Sequence, residues 1–230
     1  MALSDKEILH QLAEGNIIIS PFDRASLSTS SYDVRLGEWF FREHRLPSPV
    51  FNIWNKQHTG QVWGNPIKAR PASEVLAGVE NMPWAGIHPD DLVIVIEPGE
   101  TILGHTQEFI GGFMEHTTDM KARSSMGRVF IEVCKCAGWG DVGYVNRWTM
   151  EITNNSRHFS IPLVVGRRIA QIVFMYTGPI ENADYTELGK YQTAQGLDEL
   201  RRTWKPEAML PRLYKDREIL NPNGQEALTL

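Results

Sequence analysis

Two cysteines are all that this 230-residue chain contains, and they stand two positions apart as Cys134 and Cys136. In a strand-like run that spacing is too close for an ordinary disulfide, so a reducing compartment and a structural role for both thiols are expected. No apolar run reaches membrane-spanning length, and Met1-Ala-Leu-Ser-Asp5 lacks the charged and apolar regions of a secretory signal. The expected location is cytoplasmic, with no membrane partner. Positive charge is short as well: 23 Lys and Arg face 28 Asp and Glu, for a formal net charge of -5. Bulk electrostatics therefore argue against polymeric nucleic acid as a partner, and any phosphate must be held by a local cluster of cations. The seven histidines are scattered, and Cys134-x-Cys136 does not fit the H-x-E and P-C-x-x-C spacing of zinc deaminases. No protein metal site is expected. Neither a G-x-S-x-G elbow nor a G-x-x-x-x-G-K-[ST] phosphate loop occurs, and there is no internal repeat.

What is present reads mainly as β-structure behind one short helix. Ser4 and Glu7 have capping-box spacing, Leu3 and Ile8 match a hydrophobic staple, and Gly15 is placed to stop the helix. Ile17–Ile19 and Ser30–Gly37 read as strands. Residues 45–90 carry six prolines with Trp54, Trp63 and Trp84 among them, which predicts an insertion or long loops over the core. From Asp91 onward, Leu92–Ile96, Val129–Val133, Trp148–Ile152, Ile161–Val165 and Ile169–Tyr176 are apolar or alternating runs separated by turn residues. Such spacing favours a sandwich, jelly roll or barrel. Ser124–Gly127 suits a short helix start. Residues 1–196 are expected to form the domain, and 197–230 a polar tail, either solvated or packed on a neighbouring subunit.

Chemistry concentrates in Arg123-Ser-Ser-Met-Gly-Arg128 and Trp148-Thr-Met-Glu151, which bring two arginines, two hydroxyls and a carboxylate into a region otherwise read as buried strand. Buried charges need partners or a ligand. Guanidinium and hydroxyl groups suit phosphate oxygens, and a carboxylate beside them suits a general base. An equally simple reading makes Arg128 and Glu151 a structural ion pair. Gly138-Trp-Gly-Asp-Val-Gly143 matches G-x-G-x-x-G, but the residues after it read as a strand where a dinucleotide site requires a helix. A tight turn, or close approach of a ligand to the backbone, fits those glycines better.

Several spaced motifs together resemble the dCTP deaminase family of the dUTPase-like superfamily. They are Arg123-Ser-Ser-x-x-Arg128, Ala137-Gly-x-x-Asp141-x-Gly-Tyr144, Thr149-x-Glu151, Gly166-x-x-Ile-x-Gln171 and Gly189-Lys-Tyr-Gln192. Leu3-Ser-Asp-Lys-Glu7 and Ser30–Gly37 extend the likeness to the opening helix and first strands. The resemblance covers about residues 1–40 and 90–196. It implies a distorted jelly-roll, dUTPase-like β-barrel, assembled as a homotrimer with sites at subunit boundaries.

It also implies zinc-independent hydrolysis of dCTP to dUTP and ammonia, in deoxypyrimidine nucleotide metabolism. Carried onto this chain, the catalytic set is Glu151 as general base and proton shuttle, Ser124 and the Ala137 carbonyl for the water, and Arg128 to orient Glu151. Arg123, Ser125, Lys190 and Tyr191 would hold the triphosphate, with Asp141 and Tyr144 at the deoxyribose. Mg²⁺ would bind through the substrate triphosphate. Two alternatives attach to departures from the family pattern. Ala137-Gly138 matches members that are bifunctional and release dUMP and pyrophosphate. Gly140, Asn146, Cys136 and Ala194 stand where the family usually has other residues, and Gly140 and Ala194 leave open a non-catalytic nucleotide-binding, regulatory trimer. Gly140 is expected to leave extra room beside the nucleoside, and Ala194 to remove a phosphate contact.

Overall fold

The structure, a computed structural model, describes residues 1–79, 84–182, 184–191 and 196–220. Helix α1 (Asp5–Glu14) begins as the sequence directs: the Ser4 hydroxyl accepts from the Glu7 backbone N–H at 3.3 Å, and Gly15 ends the helix in the left-handed conformation. Leu3 and Ile8 are both buried in the main core. The Glu7 carboxylate accepts from the Gln11 amide at 2.7 Å, where the sequence reading had it turned back to the cap.

Strands β1 (Ile17–Ser20), β2 (Tyr32–Arg35) and β3 (Trp39–Arg42) follow. The segment expected to be loops holds regular pieces: helix α2 (Lys56–Trp63), β4 (Ile67–Lys68), β5 (Arg70–Pro71) and helix α3 (Ala72–Val75). The proline-free stretch between the Asn55 cap and Gly64 is long enough for two helical turns. Next come β6 (Leu92–Ile96), β7 (Thr101–Gly112), β8 (His116–Ala122), helix α4 (Ser124–Arg128), β9 (Ile131–Glu132), β10 (Trp139–Gly140), β11 (Val145–Asn154), β12 (Ile161–Val164) and β13 (Arg168–Tyr176). Helices α5 (Tyr185–Leu188), α6 (Leu197–Thr203) and α7 (Arg217–Leu220) complete the described chain.

The strands form three sheets and, among the described residues, do not close into the barrel that was expected. The largest runs β4-β3-β7-β11-β9, with β1 also on β7; a second runs β10-β8-β13-β2, and a third β12-β6-β5. Long β7 organises the first. Its Thr101–Gly111 stretch pairs with β11, and its other edge takes β3 at Ile102–Leu103 and β1 at Phe109–Gly112. The core between the sheets is aliphatic and aromatic, including Tyr32, Ile94, Ile110, Met120, Trp148, Met150 and Phe174.

Residues 197–216 are not a solvated tail. Leu200 of α6 is buried against Phe109 and Val145, and Met209 against Phe41 and Leu103. The Trp204 ring lies 4.7 Å from that of His105, and the Arg147 guanidinium sits over both Trp204 and Phe109. His105 is held neutral by burial, its pKa pushed down to about 4. The apolar residues of this polar-looking segment are spaced to meet the sheet one at a time, and for that reason no periodic stripe announces them.

Candidate active site

Strand alternation aims Thr149 and Glu151 of β11 to one side, while Trp148, Met150 and Ile152 enter the core. On that side lies a cavity of about 560 Å³. It gathers Ala137, Asp141, Tyr144, Glu151, Lys190 and Tyr191 from the residues singled out in the sequence. Glu151 pairs in register with Leu103 of β7, and Leu103 with Phe41 of β3, so the carboxylate stands beside the middle of the largest sheet. Its Oε2 is buried and, among the described residues, has no hydrogen-bond partner. Burial raises the Glu151 pKa, opposed by a hydrogen bond to its own backbone and by the charge of Lys135. A carboxyl whose pKa is raised by burial holds a proton more readily than a free one, as a group that takes and returns protons must.

The approach to Ala137 is strained. Cys134, Lys135 and Cys136 all have positive φ, at 63°, 38° and 63°, a conformation costly for residues with a side chain. The kink turns Ala137 out to the cavity, while its N–H donates to the Cys134 carbonyl at 2.6 Å. Both cysteines are free; burial pushes the Cys134 thiol up to about 11, which keeps it inert.

The glycines beside Ala137 have steric reasons. A Cβ on Gly138 would lie 2.2 Å from the Met120 carbonyl oxygen, and one on Gly140 would lie 2.5 Å from the Trp148 ring. The space left by Gly140 is thus filled by Trp148 and is not room for a nucleoside. Trp148 is fixed in turn, its Nε1–H donating to the Ile110 carbonyl at 2.9 Å; its ring packs edge-on against Tyr144 at 5.2 Å, and Tyr144 packs edge-on against Tyr185 at 5.1 Å. After Gly143 comes β11, so the G-x-G-x-x-G match opens no helix.

Asn146 has a visible job as well. Its side-chain amide donates to the Tyr191 carbonyl at 3.3 Å, and its oxygen accepts from the Arg147 N–H at 2.9 Å. The Tyr191 N–H donates to the Tyr185 hydroxyl at 3.3 Å. Lys190 and Tyr191 are therefore tethered to β11 and α5. Gln192 and Ala194 lie outside the described residues.

The remaining candidates stand apart from this cavity. Arg123 pairs with the buried Asp33 at 3.3 Å, sharing it with Arg168 at 3.1 Å, and donates to the Arg168 carbonyl. Ser124, Ser125 and Arg128 on α4 are exposed, and none lines the cavity. Among the described residues Arg128 makes no ion pair, so the simple Arg128–Glu151 bridge is not present within the chain. Directly after α4 come two exposed apolar side chains, Val129 and Phe130.

Sequence reasoning missed Trp63, Trp139, Tyr185, Met209 and Pro211, all of which line the cavity. Only Trp139 and Tyr185 had a signal, as aromatics close to the motifs; the other three come from segments with no motif at all. No described group of three or more His, Cys, Asp or Glu side chains has the arrangement of a metal site. No described helix is long and apolar enough to cross a membrane.

Comparison with known proteins gives a consistent outcome. A family model described as dCTP deaminase-like matches residues 2–177. A protein of Acidothermus cellulolyticus named "dCTP deaminase, dUMP-forming" is 31% identical over 185 residues, covering 79% of this chain and 84% of its own. One of the same name from Dictyoglomus turgidum is 31% identical over 202 residues, covering 85% of this chain and 92% of its own. The crystal structure of 2'-deoxycytidine 5'-triphosphate deaminase from Agrobacterium tumefaciens superposes with a TM-score of 0.52 at 19% identity, a likeness of fold. That match covers 79% of this chain and 50% of the solved one, so this chain spans about half of that protein's length.

Proposed function

The chain belongs to the dCTP deaminase-like family, and from that premise we propose that it hydrolyses dCTP to dUMP, ammonia and pyrophosphate. The observation that carries the deamination is the cavity in which Glu151, with its raised pKa and unpartnered Oε2, shares walls with Ala137, Asp141, Tyr144, Lys190 and Tyr191. In this reading the ionised Glu151 removes a proton from a water attacking C4 of the cytosine, and passes it to N3. The tetrahedral intermediate then collapses, the C4 oxygen loses its proton through Glu151 to the amino group, and ammonia leaves. Ser124 and the Ala137 carbonyl hold the water, so that placement and fixed dipoles contribute most of the acceleration. Asp141 and Tyr144 take the deoxyribose. Arg123, Ser125, Lys190 and Tyr191 take the triphosphate, with Mg²⁺ arriving on it as part of the substrate.

Two features support release of dUMP over release of dUTP. Both relatives described above carry dUMP-forming names. Gly138 also cannot be enlarged without meeting the Met120 carbonyl, which keeps the Ala137-Gly138 pattern associated with bifunctional members. Hydrolysis of the bond between the α- and β-phosphates of the dUTP intermediate then yields dUMP and pyrophosphate.

Assembly as a homotrimer accounts for α4. Its Ser124, Ser125 and Arg128 are exposed on one chain, away from the Glu151 cavity, and flanked by bare apolar groups of the kind that subunits cover. In the proposed trimer, α4 of one copy completes the cavity of the next and brings Arg128 to Glu151. Incubation with dCTP and Mg²⁺, followed by chromatography and an ammonia assay, tests the reading. Ammonia with dUMP supports it; ammonia with accumulating dUTP limits the chain to deamination; neither product overturns it. Glu151→Gln is expected to lower ammonia release by about 10²–10⁴-fold while nucleotide binding persists.

A further inference from the structure

Residues 204–216 form a strap anchored far from its end and finished at the cavity. Trp204 is wedged between His105 and Arg147, Met209 is buried on Leu103, and Met209 and Pro211 supply part of the cavity wall. Beyond them the strap takes hold of the two residues assigned to phosphate. The Arg212 N–H donates to the Tyr191 hydroxyl at 3.2 Å, and its guanidinium donates to the Lys190 carbonyl at 2.6 Å and sits 5.7 Å from the Tyr191 ring. The Lys190 ammonium is ion-paired with Asp216.

Charge is distributed unevenly across this cluster. Lys190 has a carboxylate partner, whereas Arg212 has none among the described residues. The Arg212 charge is close enough to act on the ionisation of both Tyr144 and Tyr185, two lining residues of the cavity. A guanidinium presents several N–H groups in a plane and can grip two phosphate oxygens together. The Lys190–Asp216 pair is partly exposed, hence screened by water and easily exchanged for a more highly charged anion.

We propose that the strap is part of the triphosphate site: Arg212 supplies a phosphate-binding charge beside Lys190, and Asp216 holds Lys190 until the triphosphate replaces it. The proposal rests on the nucleotide reading of the cavity, and adds to it a segment outside the matched family region, residues 2–177. Competition by Asp216 gives the two ends of one strap opposite effects. Removing the arginine weakens binding, and removing the aspartate charge strengthens it. A strap that only packs predicts loss in both cases.

The test is calorimetric titration of Mg²⁺–dCTP into the full chain carrying Glu151→Gln, alone and combined with Arg212→Met, Arg212→Lys or Asp216→Asn. Arg212→Met is expected to weaken binding about tenfold or more, with Arg212→Lys in between. Asp216→Asn is expected to tighten it about two- to fivefold. Deoxycytidine, which lacks phosphates, should bind all four proteins alike. Weaker binding in both Arg212→Met and Asp216→Asn, or equal losses for deoxycytidine and dCTP, overturns the proposal, as does an unchanged Arg212→Met. Ammonia release by the wild-type chain is read in parallel. Ammonia without the strap effects rejects the strap alone, strap effects without ammonia reject deamination alone, and absence of any dCTP binding rejects both.

Discussion

In the proposed reaction Glu151 carries the proton transfers, and its environment makes a prediction about stability that is separate from activity. Burial raises its pKa, so the folded chain holds the proton more readily than the unfolded chain does. Its contribution to stability is complete below the ordinary carboxylate value of 4.5 and is lost as pH rises through the elevated value in the fold. Glu151→Gln should therefore melt higher than wild type at pH 8, with the gain disappearing below about pH 4.5; thermal unfolding followed across that range checks it. An unchanged or lower Tm at pH 8 would mean that the carboxylate is not strained by its burial. Asn146 offers a second test at this scale. Its amide tethers the Tyr191 carbonyl, a neutral hydrogen bond worth about 1 kcal/mol. Asn146→Ala is expected to raise KM for dCTP about fivefold with little change in kcat, since the loss falls on phosphate positioning.

Among the elements, β10 and β11 are coupled through a volume exchange. Gly140 has no side chain because the Trp148 ring fills the space, and Trp148 in turn backs Tyr144. Gly140→Val alone should cost about 1–3 kcal/mol through overpacking, and Trp148→Val alone about 3–5 kcal/mol through the cavity that it leaves. The double variant should lose clearly less than the sum, and a urea-denaturation cycle measures the difference; strict additivity would contradict the exchange. This pair also illustrates what the sequence could and could not convey. Apolar alternation and turn residues, which are local signals, brought out β1, β2, β6, β11, β12 and β13, and the motifs brought out the short α4 and part of the cavity lining. The filling of Gly140 by Trp148 is a contact across eight positions, and glycine alone reads equally as space for a ligand. Strands β7 and β8 were not picked out, since β7 carries glycines, a histidine and a buried glutamate, Glu108, paired with Arg35 at 2.6 Å. The polar residues of 197–216 likewise hid Leu200, Trp204 and Met209, whose burial depends on where the sheet happens to lie.

For the whole molecule, the separation of α4 from Glu151 within one chain is the central structural fact. Within one chain Arg128 makes no ion pair among the described residues, so the pairing of Arg128 with Glu151 implied by the resemblance would need a second copy of the chain. If α4 of one copy serves the cavity of the next, Ser124→Ala and Glu151→Gln chains should complement one another. Random mixed trimers unfolded and refolded together should regain about one quarter of wild-type ammonia release, because that share of boundaries pairs two intact halves. Sites contained within single chains would give no recovery. The most direct test of the account remains the reaction itself. Turnover of Mg²⁺–dCTP in ¹⁸O-labelled water, followed by mass spectrometry of the nucleotides, should yield dUMP bearing ¹⁸O at C4, with ammonia and pyrophosphate formed in equal amounts. Recovery of unaltered dCTP, or of dCMP with its amino group intact, would contradict it.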